Sequence, residues 1–322
     1  MKSLEEAVED YLRLRRGLGF KLDRLEGQLR QFLSFLSVRR VSRITTQLAL
    51  EFATEAPELC PGTMAMRLAA VRCFARYHAV NNPATEVPPN NLLPRRTRGA
   101  RPYIYSESEI VRLLAAARRD QTPSRPQDRR WQRYNGWSWH CLFALLIATG
   151  MRVSEVCNLR TEDIDWEEGV LTICNTKFGK SRLVPLHETM LQALRTHVKQ
   201  RDAFLAQFQP GALGQCLFVT SRGTPIQGSH VREKFLRISR QIGLRGPNDR
   251  HRPRLHDLRH RFAVQTLIRW YRMGENVDAL LPVLSTYLGH IDVGSTYWYL
   301  RCTPELMDAA RTRLERRWEG VL

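Results

Sequence analysis

The chain has 322 residues, enough for two domains, and it is 43% hydrophobic and 25% charged, as folded globular proteins are. Its formal net charge of +18 allows nucleic acid, an anionic membrane surface or an acidic protein as partner, and the membrane is the weakest of these. No apolar run approaches the roughly 20 residues that span a bilayer, and the N-terminus is too acidic for a signal peptide. We therefore expect a cytoplasmic, nucleoid-associated bacterial protein with no membrane partner. Its seven widely spaced cysteines predict reduced, mostly buried thiols.

The first 80 residues predict a small all-α domain. A capping box, Ser3 with Glu6, opens a helix that continues to Leu18. Leucines and phenylalanines at three- and four-residue steps predict a second helix over residues 22–36. A third helix is predicted over Thr46–Ala56, and a fourth follows Pro61.

Residues 81–102 read as a basic, proline-rich linker, because five prolines there interrupt regular structure. Two interpretations remain open. The segment is either a solvated hinge or a strap along a phosphate backbone, and its four arginines favour the strap.

The second domain is predicted over residues 103–322, with helices around a small antiparallel sheet. Ser106 and Glu109 form a second capping box, whose helix continues to Arg119. A polar loop over residues 120–136 precedes a buried helix, Trp137–Thr149, which Gly150 ends. Three strands are predicted, at Leu159–Asp165, Val170–Ile173 and Arg182–Leu186; Leu217–Val219 either joins them or forms a short extended segment. Further helices are predicted at about 187–208, 228–242, 257–271, 277–288 and 304–318. The predicted fold is mainly α with a small antiparallel β-sheet.

A set of side chains in the second domain suits chemistry on a phosphodiester. Its members are Arg152, Lys177, His256, Arg259, His290 and Tyr299. Arginines hold phosphate oxygens through charge-assisted hydrogen bonds, and lysine or histidine can protonate a leaving oxygen. A tyrosine hydroxyl, with a pKa near 10, becomes a nucleophile when a base or nearby cations draw its proton away. The arginines supply positive charge, so we expect neither a metal ion nor another cofactor.

Each member of this set has an ordinary alternative. Arg152 could form a surface ion pair with Glu155, and Lys180 competes with Lys177 on the same predicted hairpin. The spacing of His256 and His260 suits zinc, but Asp257 stands where a metalloprotease needs Glu. Three other tyrosines compete with Tyr299 as nucleophile; they are Tyr271, Tyr287 and Tyr297.

The order and spacing of these motifs resemble the tyrosine recombinase (phage integrase) family. The motifs that carry the resemblance are Thr149-Gly150-Met151-Arg152, Arg182-Leu183-Val184-Pro185-Leu186, His256-Asp257-Leu258-Arg259-His260 and Leu288-Gly289-His290. The family's offset back from Arg182 selects Lys177 over Lys180, and its nine-residue step after His290 selects Tyr299 over Tyr297. The likeness covers about residues 106–302, and the helical segment before it resembles the family's core-binding domain.

The resemblance implies a role for each residue. Arg152 and Arg259 would bind the scissile phosphate, and His256 and His290 would bond its oxygens, with His256 accepting the tyrosine proton. Lys177 would protonate the 5′ leaving oxygen, while Tyr299 would form a 3′-phosphotyrosyl bond.

The resemblance also implies double-stranded DNA with specific core sites as the partner. Four protomers would act on two sites, and accessory recombinases would be further partners. Integrases carried on mobile elements are the members of the family that the chain resembles. The helix at 304–318 would pack either on a neighbouring protomer or on its own core. Two other functions stay open: a type IB topoisomerase, and a catalytically inactive DNA-binding accessory or regulatory protein.

Overall fold

The structure is a computed structural model that describes residues 3–56, 58–94, 102–119, 129–174, 181–208, 215–246, 253–301 and 303–319. It divides into two compact units, Met1–Ala100 and Arg101–Leu322. No helix in the described part of the chain is long and apolar enough to cross a membrane.

The first unit contains the predicted helices. They are α1 (Leu4–Gly17), α2 (Asp23–Val38), α3 (Thr46–Thr54) and α4 (Pro61–His78). The capping box predicted for α1 is present, since Ser3 and Glu6 exchange backbone-to-side-chain hydrogen bonds of 2.9 and 3.1 Å. The four helices bury a common core that includes Leu12, Phe32 and Phe74. The amphipathic periodicity of the sequence therefore predicted these helices correctly.

The described part of the predicted linker, residues 81–94, is fastened to the helices of the first unit. Arg72 of α4 donates hydrogen bonds of 2.8 Å to the carbonyl oxygens of Pro88 and Pro89. The backbone N–H of Thr46 donates to the Glu86 carboxylate at 2.8 Å. These contacts fasten the described residues to the first unit. The four arginines on which the strap interpretation depends lie within residues 95–101, outside the described part of the chain, so that interpretation stays a prediction.

The second unit is mainly helical, as predicted. Its helices are α5 (Glu107–Arg119), α6 (Arg129–Thr149), α7 (Val153–Asn158), α8 (Glu188–Phe208), α9 (Gly228–Gln241), α10 (Asp257–Arg272), α11 (Val277–Leu288), α12 (Gly294–Tyr297) and α13 (Pro304–Glu319). Two short 3₁₀ helices cover Thr161–Asp163 and Trp298–Arg301. Helices α7 and α12 and both 3₁₀ helices were not predicted, because such short helices show no periodicity in the sequence.

One antiparallel sheet lies among these helices, in the order β1 (Ile164–Asp165), β2 (Val170–Ile173) and β3 (Arg182–Pro185). The first strand is shorter than predicted, since α7 and the 3₁₀ turn occupy most of the chain from 153 to 163. Leu217–Val219 is a short extended segment beside the sheet, where Leu217 N–H donates to the Leu159 carbonyl at 2.8 Å.

Helix α6 begins at Arg129, so the prediction of a polar loop over the whole of 120–136 is wrong for residues 129–136; residues 120–128 lie outside the described part. Tyr134 is 4% exposed, and its ring stacks on Phe204 of α8 with centroids 5.0 Å apart. This contact with a distant helix buries an aromatic residue inside a polar stretch. Polarity along the sequence could not show it.

One further prediction needs correction. Cys141 and Cys157 are buried, but Cys60, Cys73 and Cys174 are exposed, so the thiols in the described part of the chain are not mostly buried. On α13, Leu306 joins the core that α10 and α11 form, whereas Met307 and Leu314 are 59% and 51% exposed. The apolar face of α13 therefore covers its own unit only in part.

Replacing Tyr134 with alanine should destabilise the second unit by about 3 kcal/mol, because the loss of the ring leaves a cavity and removes the stack on Phe204. Chemical denaturation of the full chain measures this loss. Val111→Ala, at a position 63% exposed on α5, is the control and should change stability by less than about 0.5 kcal/mol. Equal effects of the two substitutions would contradict the packing of α6 described above.

Candidate active site

Five of the six predicted site residues converge where α6 and α11 end and α7 and α10 begin. Arg152 directly precedes α7, and Arg259 lies in the first turn of α10 after His256. His290 follows the left-handed Gly289 that ends α11, and Tyr299 lies in the 3₁₀ helix that follows α12. The sixth residue, Lys177, lies outside the described residues, between β2 and β3.

Arg259 is held by carbonyl groups at the ends of two helices. It is 3% exposed and donates hydrogen bonds to the carbonyl oxygens of Gly150 at 2.9 Å and Leu288 at 2.5 Å. Unpaired carbonyls at a helix C-terminus carry partial negative charge, which suits a cation. Burial, and then the nearby charge of Arg152, lower the pKa of Arg259 to about 10, so it stays protonated at neutral pH.

Arg152 is positioned by a third helix-end carbonyl and by a carboxylate. It donates to the Gly289 carbonyl at 2.7 Å and to Glu155 at 2.8 Å. Glu155 is 8% exposed, and Arg182 binds both of its oxygens at 2.8 and 3.0 Å. Burial would raise the pKa of Glu155, but the hydrogen bonds from Arg182 and from the Arg152 backbone hold it below its usual value. Glu155 is therefore not the surface partner of the alternative interpretation.

Arg182 joins strand β3 to the end of α11. Besides Glu155, its guanidinium binds the Tyr287 carbonyl at 2.7 Å. Gly289 makes room for this arrangement: its φ is +67°, and a Cβ there would lie 2.9 Å from Arg182 Nη1 and 3.3 Å from Arg152 Nη1. Arg182 and Gly289 belong to the sequence motifs, but the motifs gave neither residue a role in the site. The alternation of the strand gave no sign that the arginine side chain turns inward.

The charges in this cluster do not balance. Among the described residues, Glu155 is the only carboxylate hydrogen-bonded to any of these three guanidiniums: it binds Arg152 and Arg182, while Arg259 binds only carbonyl oxygens. Three positive charges and one negative charge leave a net positive site, which an anionic group would complete.

The two predicted histidines are neutral at pH 7. Partial desolvation of the ring, followed by the charge of Arg259, lowers the pKa of His256, although the residue as a whole is exposed. Burial and then Arg259 lower the pKa of His290 to about 4, and its Nδ1 pairs with the Thr296 hydroxyl at 2.7 Å. Neutral imidazoles can accept protons, and the bond to Thr296 leaves Nε2 of His290 available.

His260 packs against two of the predicted site residues, His256 and Tyr299. Its ring centroid is 4.8 Å from that of His256 and 5.5 Å from that of Tyr299. Burial, and then the neighbouring His256, lower its pKa to about 3, and its buried Nδ1 has no hydrogen-bond partner among the described residues. In the described part of the chain no group of three or more His, Cys, Asp or Glu side chains is arranged to hold a metal ion.

Tyr299 reaches the arginines from inside the fold. It is 3% exposed, and it lies close enough to Arg259 to act to raise the pKa of that guanidinium. Its ring is nearly parallel to that of His290, with centroids 6.0 Å apart. The rival Tyr297 is 49% exposed at the end of α12. The tyrosine that contacts the guanidinium is thus the one that the sequence spacing selects.

The chain is similar to known proteins along most of its length. A profile described as the phage integrase family matches residues 105–305. The protein y4rB of Sinorhizobium fredii, described as an integrase/recombinase, is 45% identical over 99% of both chains. The tyrosine recombinase XerD of Caulobacter vibrioides is 28% identical over 77% of this chain and 73% of its own length.

The fold also matches a solved structure of the Tn1549 transposon integrase in complex with a circular intermediate DNA. The TM-score is 0.66 at 18% identity, over 96% of this chain and 98% of that one. The chain belongs to the phage integrase family and is an enzyme of the tyrosine recombinase class. The resemblance found in the sequence motifs is confirmed.

Gly289→Ala should slow recombination by at least about tenfold, because its Cβ would displace the guanidiniums of Arg182 and Arg152. The left-handed backbone would add about 1 kcal/mol of destabilisation. Gly274→Ala is a matched control: its φ is +75°, but a Cβ there meets nothing within 4 Å. It should lower stability equally and leave the rate unchanged, so equal rates for the two variants would contradict this account.

Stability should fall as the pH drops from about 6.5 towards 5, before most carboxylates titrate. The folded state lowers the pKa of His260 to about 3 and that of buried His197 to about 4, so the unfolded chain binds protons that the folded chain excludes. At pH 5.5 each of these histidines should cost about 1.4 kcal/mol of unfolding free energy. Denaturation at a series of pH values measures the loss, and His260→Phe should reduce its slope. A flat profile from pH 7 to 5.5 would show that these imidazoles are accessible to protons.

Proposed function

We propose that this enzyme is a site-specific recombinase that cleaves and rejoins duplex DNA through a 3′-phosphotyrosyl bond to Tyr299. The observation that carries the proposal is the position of Tyr299, which is buried beside Arg259 and the ring of His290 inside a cluster with excess positive charge. The Tn1549 integrase, similar in fold, is bound to DNA in its solved structure. The net charge of +18 supports the same partner here.

The scissile phosphate would lie against Arg152 and Arg259. When a phenol oxygen attacks phosphorus, negative charge builds on the non-bridging oxygens, and charge-assisted hydrogen bonds to guanidinium are worth about 1.5–3 kcal/mol each. Carbonyl groups and Glu155 already fix both arginines, so little reorganisation would accompany the reaction. This fixed positive charge can do the work that a metal ion does in other phosphoryl transfers.

The proton of Tyr299 would pass to His256. The lowered pKa of His256 keeps it neutral at pH 7 and able to act as a base. His290, fixed through Nδ1 by Thr296, would bond a phosphate oxygen through Nε2. Lys177 would then protonate the departing 5′ oxygen; this role rests on the motif spacing that prefers it to Lys180.

The covalent bond keeps the energy of the broken phosphodiester, so rejoining would need no ATP. A 5′ hydroxyl from a second DNA would attack the phosphotyrosyl bond and release Tyr299. We propose that four protomers on two specific core sites exchange strands in this way, and that both units of each protomer bind DNA. Accessory recombinases and integration within a mobile element belong to the same proposal.

The packing around Tyr299 favours catalysis over DNA binding alone. A protein that only binds DNA gains nothing from a tyrosine hydroxyl paired with a buried arginine between two neutral histidines. The similarity to XerD recombinases along most of the chain favours strand exchange over topoisomerase activity.

Tyr299→Phe should abolish the covalent protein–DNA adduct on a nicked suicide substrate while leaving DNA affinity within about twofold. The variant loses the nucleophilic oxygen but keeps the buried ring. Denaturing electrophoresis detects the adduct, and a mobility shift measures binding. Tyr297→Phe is the matched control and should form the adduct at the wild-type rate; the reverse pattern would move the nucleophile to Tyr297.

A further inference from the structure

The ring of His290 is oriented by a threonine hydroxyl. Its Nδ1 atom lies 2.7 Å from Oγ1 of Thr296, a residue of α12 that is 0% exposed. The backbone N–H groups of His290 and Thr296 donate to the carbonyl oxygens of Ser285 and Val293 at 2.9 and 2.8 Å. The ring and the hydroxyl therefore face each other from two fixed pieces of backbone.

The hydroxyl of Thr296 departs from the usual behaviour of threonine in a helix. Such hydroxyls commonly donate to the carbonyl oxygen four residues earlier. Six other threonines in the described part of the chain do so; they are Thr54, Thr149, Thr196, Thr266, Thr286 and Thr312. The corresponding carbonyl for Thr296 belongs to Asp292, and it accepts from the Ser285 hydroxyl at 3.5 Å instead. Among the described residues, His290 is the one hydrogen-bond partner of the Thr296 side chain.

This pairing decides which ring nitrogen carries the proton. A neutral imidazole has one N–H, on Nδ1 or on Nε2, and the hydrogen bond at one nitrogen fixes the other. If Nδ1–H donated to Thr296, the hydroxyl proton would be buried without an acceptor, which costs free energy. If the hydroxyl donates to Nδ1, its proton is satisfied and the ring proton lies on Nε2. His290 is half-buried, so Nε2–H can meet water or a ligand.

The arginines of the site favour the opposite arrangement. The charges of Arg259 and Arg152 act on the ring of His290. Positive charge favours a lone pair over an N–H bond on the nitrogen that is not already paired, and Nδ1 is paired with Thr296. Without the hydroxyl, the arginines would therefore draw the lone pair to Nε2. That lone pair would repel a phosphate oxygen, whereas Nε2–H would donate to it.

We propose that Thr296 is a positioning residue that keeps the proton of neutral His290 on Nε2. His290 then donates a hydrogen bond to a non-bridging oxygen of the scissile phosphate and leaves the role of base to His256. This inference rests on the proposed function, which places His290 at the phosphate. Thr296 is buried behind the ring and acts only through it.

Thr296→Val keeps the shape of the side chain but removes the hydroxyl. It should slow adduct formation on the nicked suicide substrate, at saturating DNA, by about three- to tenfold, the effect of one ordinary hydrogen bond. Thr296→Ser keeps the hydroxyl and should restore the rate to within about twofold of wild type. A valine variant as fast as wild type, or a serine variant as slow as the valine variant, would overturn the proposal.

A double-mutant cycle separates this role from general packing. In a His290→Ala background there is no ring to orient, so Thr296→Val should change the rate of adduct formation by less than about twofold. If the two losses multiply instead, Thr296 acts on the site by another route and the assignment fails.

The proton can also be located without DNA. In the full chain with ¹⁵N-labelled histidines at pH 7, multiple-bond ¹H–¹⁵N correlation distinguishes the protonated from the unprotonated nitrogen of each of the nine rings. The pattern that disappears in His290→Ala belongs to His290 and should show Nε2–H, with a shift towards Nδ1–H in Thr296→Val. Nδ1–H in the wild-type protein would overturn the proposal even if no variant folds. Absence of a wild-type adduct would instead contradict the proposed function, so the two failures are distinguishable.

Discussion

The site depends on guanidinium groups held by the carbonyl ends of helices. Removing a charged side chain from water costs free energy, and Arg259 offsets that cost with the carbonyls of Gly150 and Leu288 rather than with a carboxylate. A carboxylate in that place would neutralise the charge that a phosphate needs. Partial charges at helix ends orient the arginine without neutralising it, so its positive charge remains available to an anion. The one carboxylate, Glu155, is shared between Arg152 and Arg182, so it fixes geometry while the cluster stays cationic.

The burial and the positive charge of this cluster also explain why the histidines are neutral. Burial disfavours a positive charge on His290, and the nearby charges of Arg259 and Arg152 act in the same direction, so its pKa is lowered. Permanent charge is thus concentrated on groups that cannot lose their protons, and groups that can exchange protons surround it. Chemistry at phosphorus needs both kinds of group at once. Their separation follows from packing alone.

Much of this could be predicted from the sequence. Ser3 and Glu6 fixed the start of α1, the left-handed Gly150 ended α6, and the spacing from His290 selected Tyr299 over Tyr297. These signals are local or nearly so. Features that depend on distant partners were missed: Tyr134 stacks on α8, Arg72 holds the prolines at 88 and 89, and Glu155 is buried by an arginine 27 residues away. Polarity suggested solvent for all three segments, because nothing within a few residues reveals the partner.

Tyr299 lies on a 3₁₀ turn between α12 and α13, where hydrogen-bond geometry is poorer than in an α-helix and runs stay short. Backbone of this kind gives up little stability when it shifts. If Tyr299 carries the end of a broken DNA strand, as we propose, the shift that this requires would disturb little hydrogen bonding at such a turn. The arginines, in contrast, are held by carbonyl groups at the ends of α6 and α11.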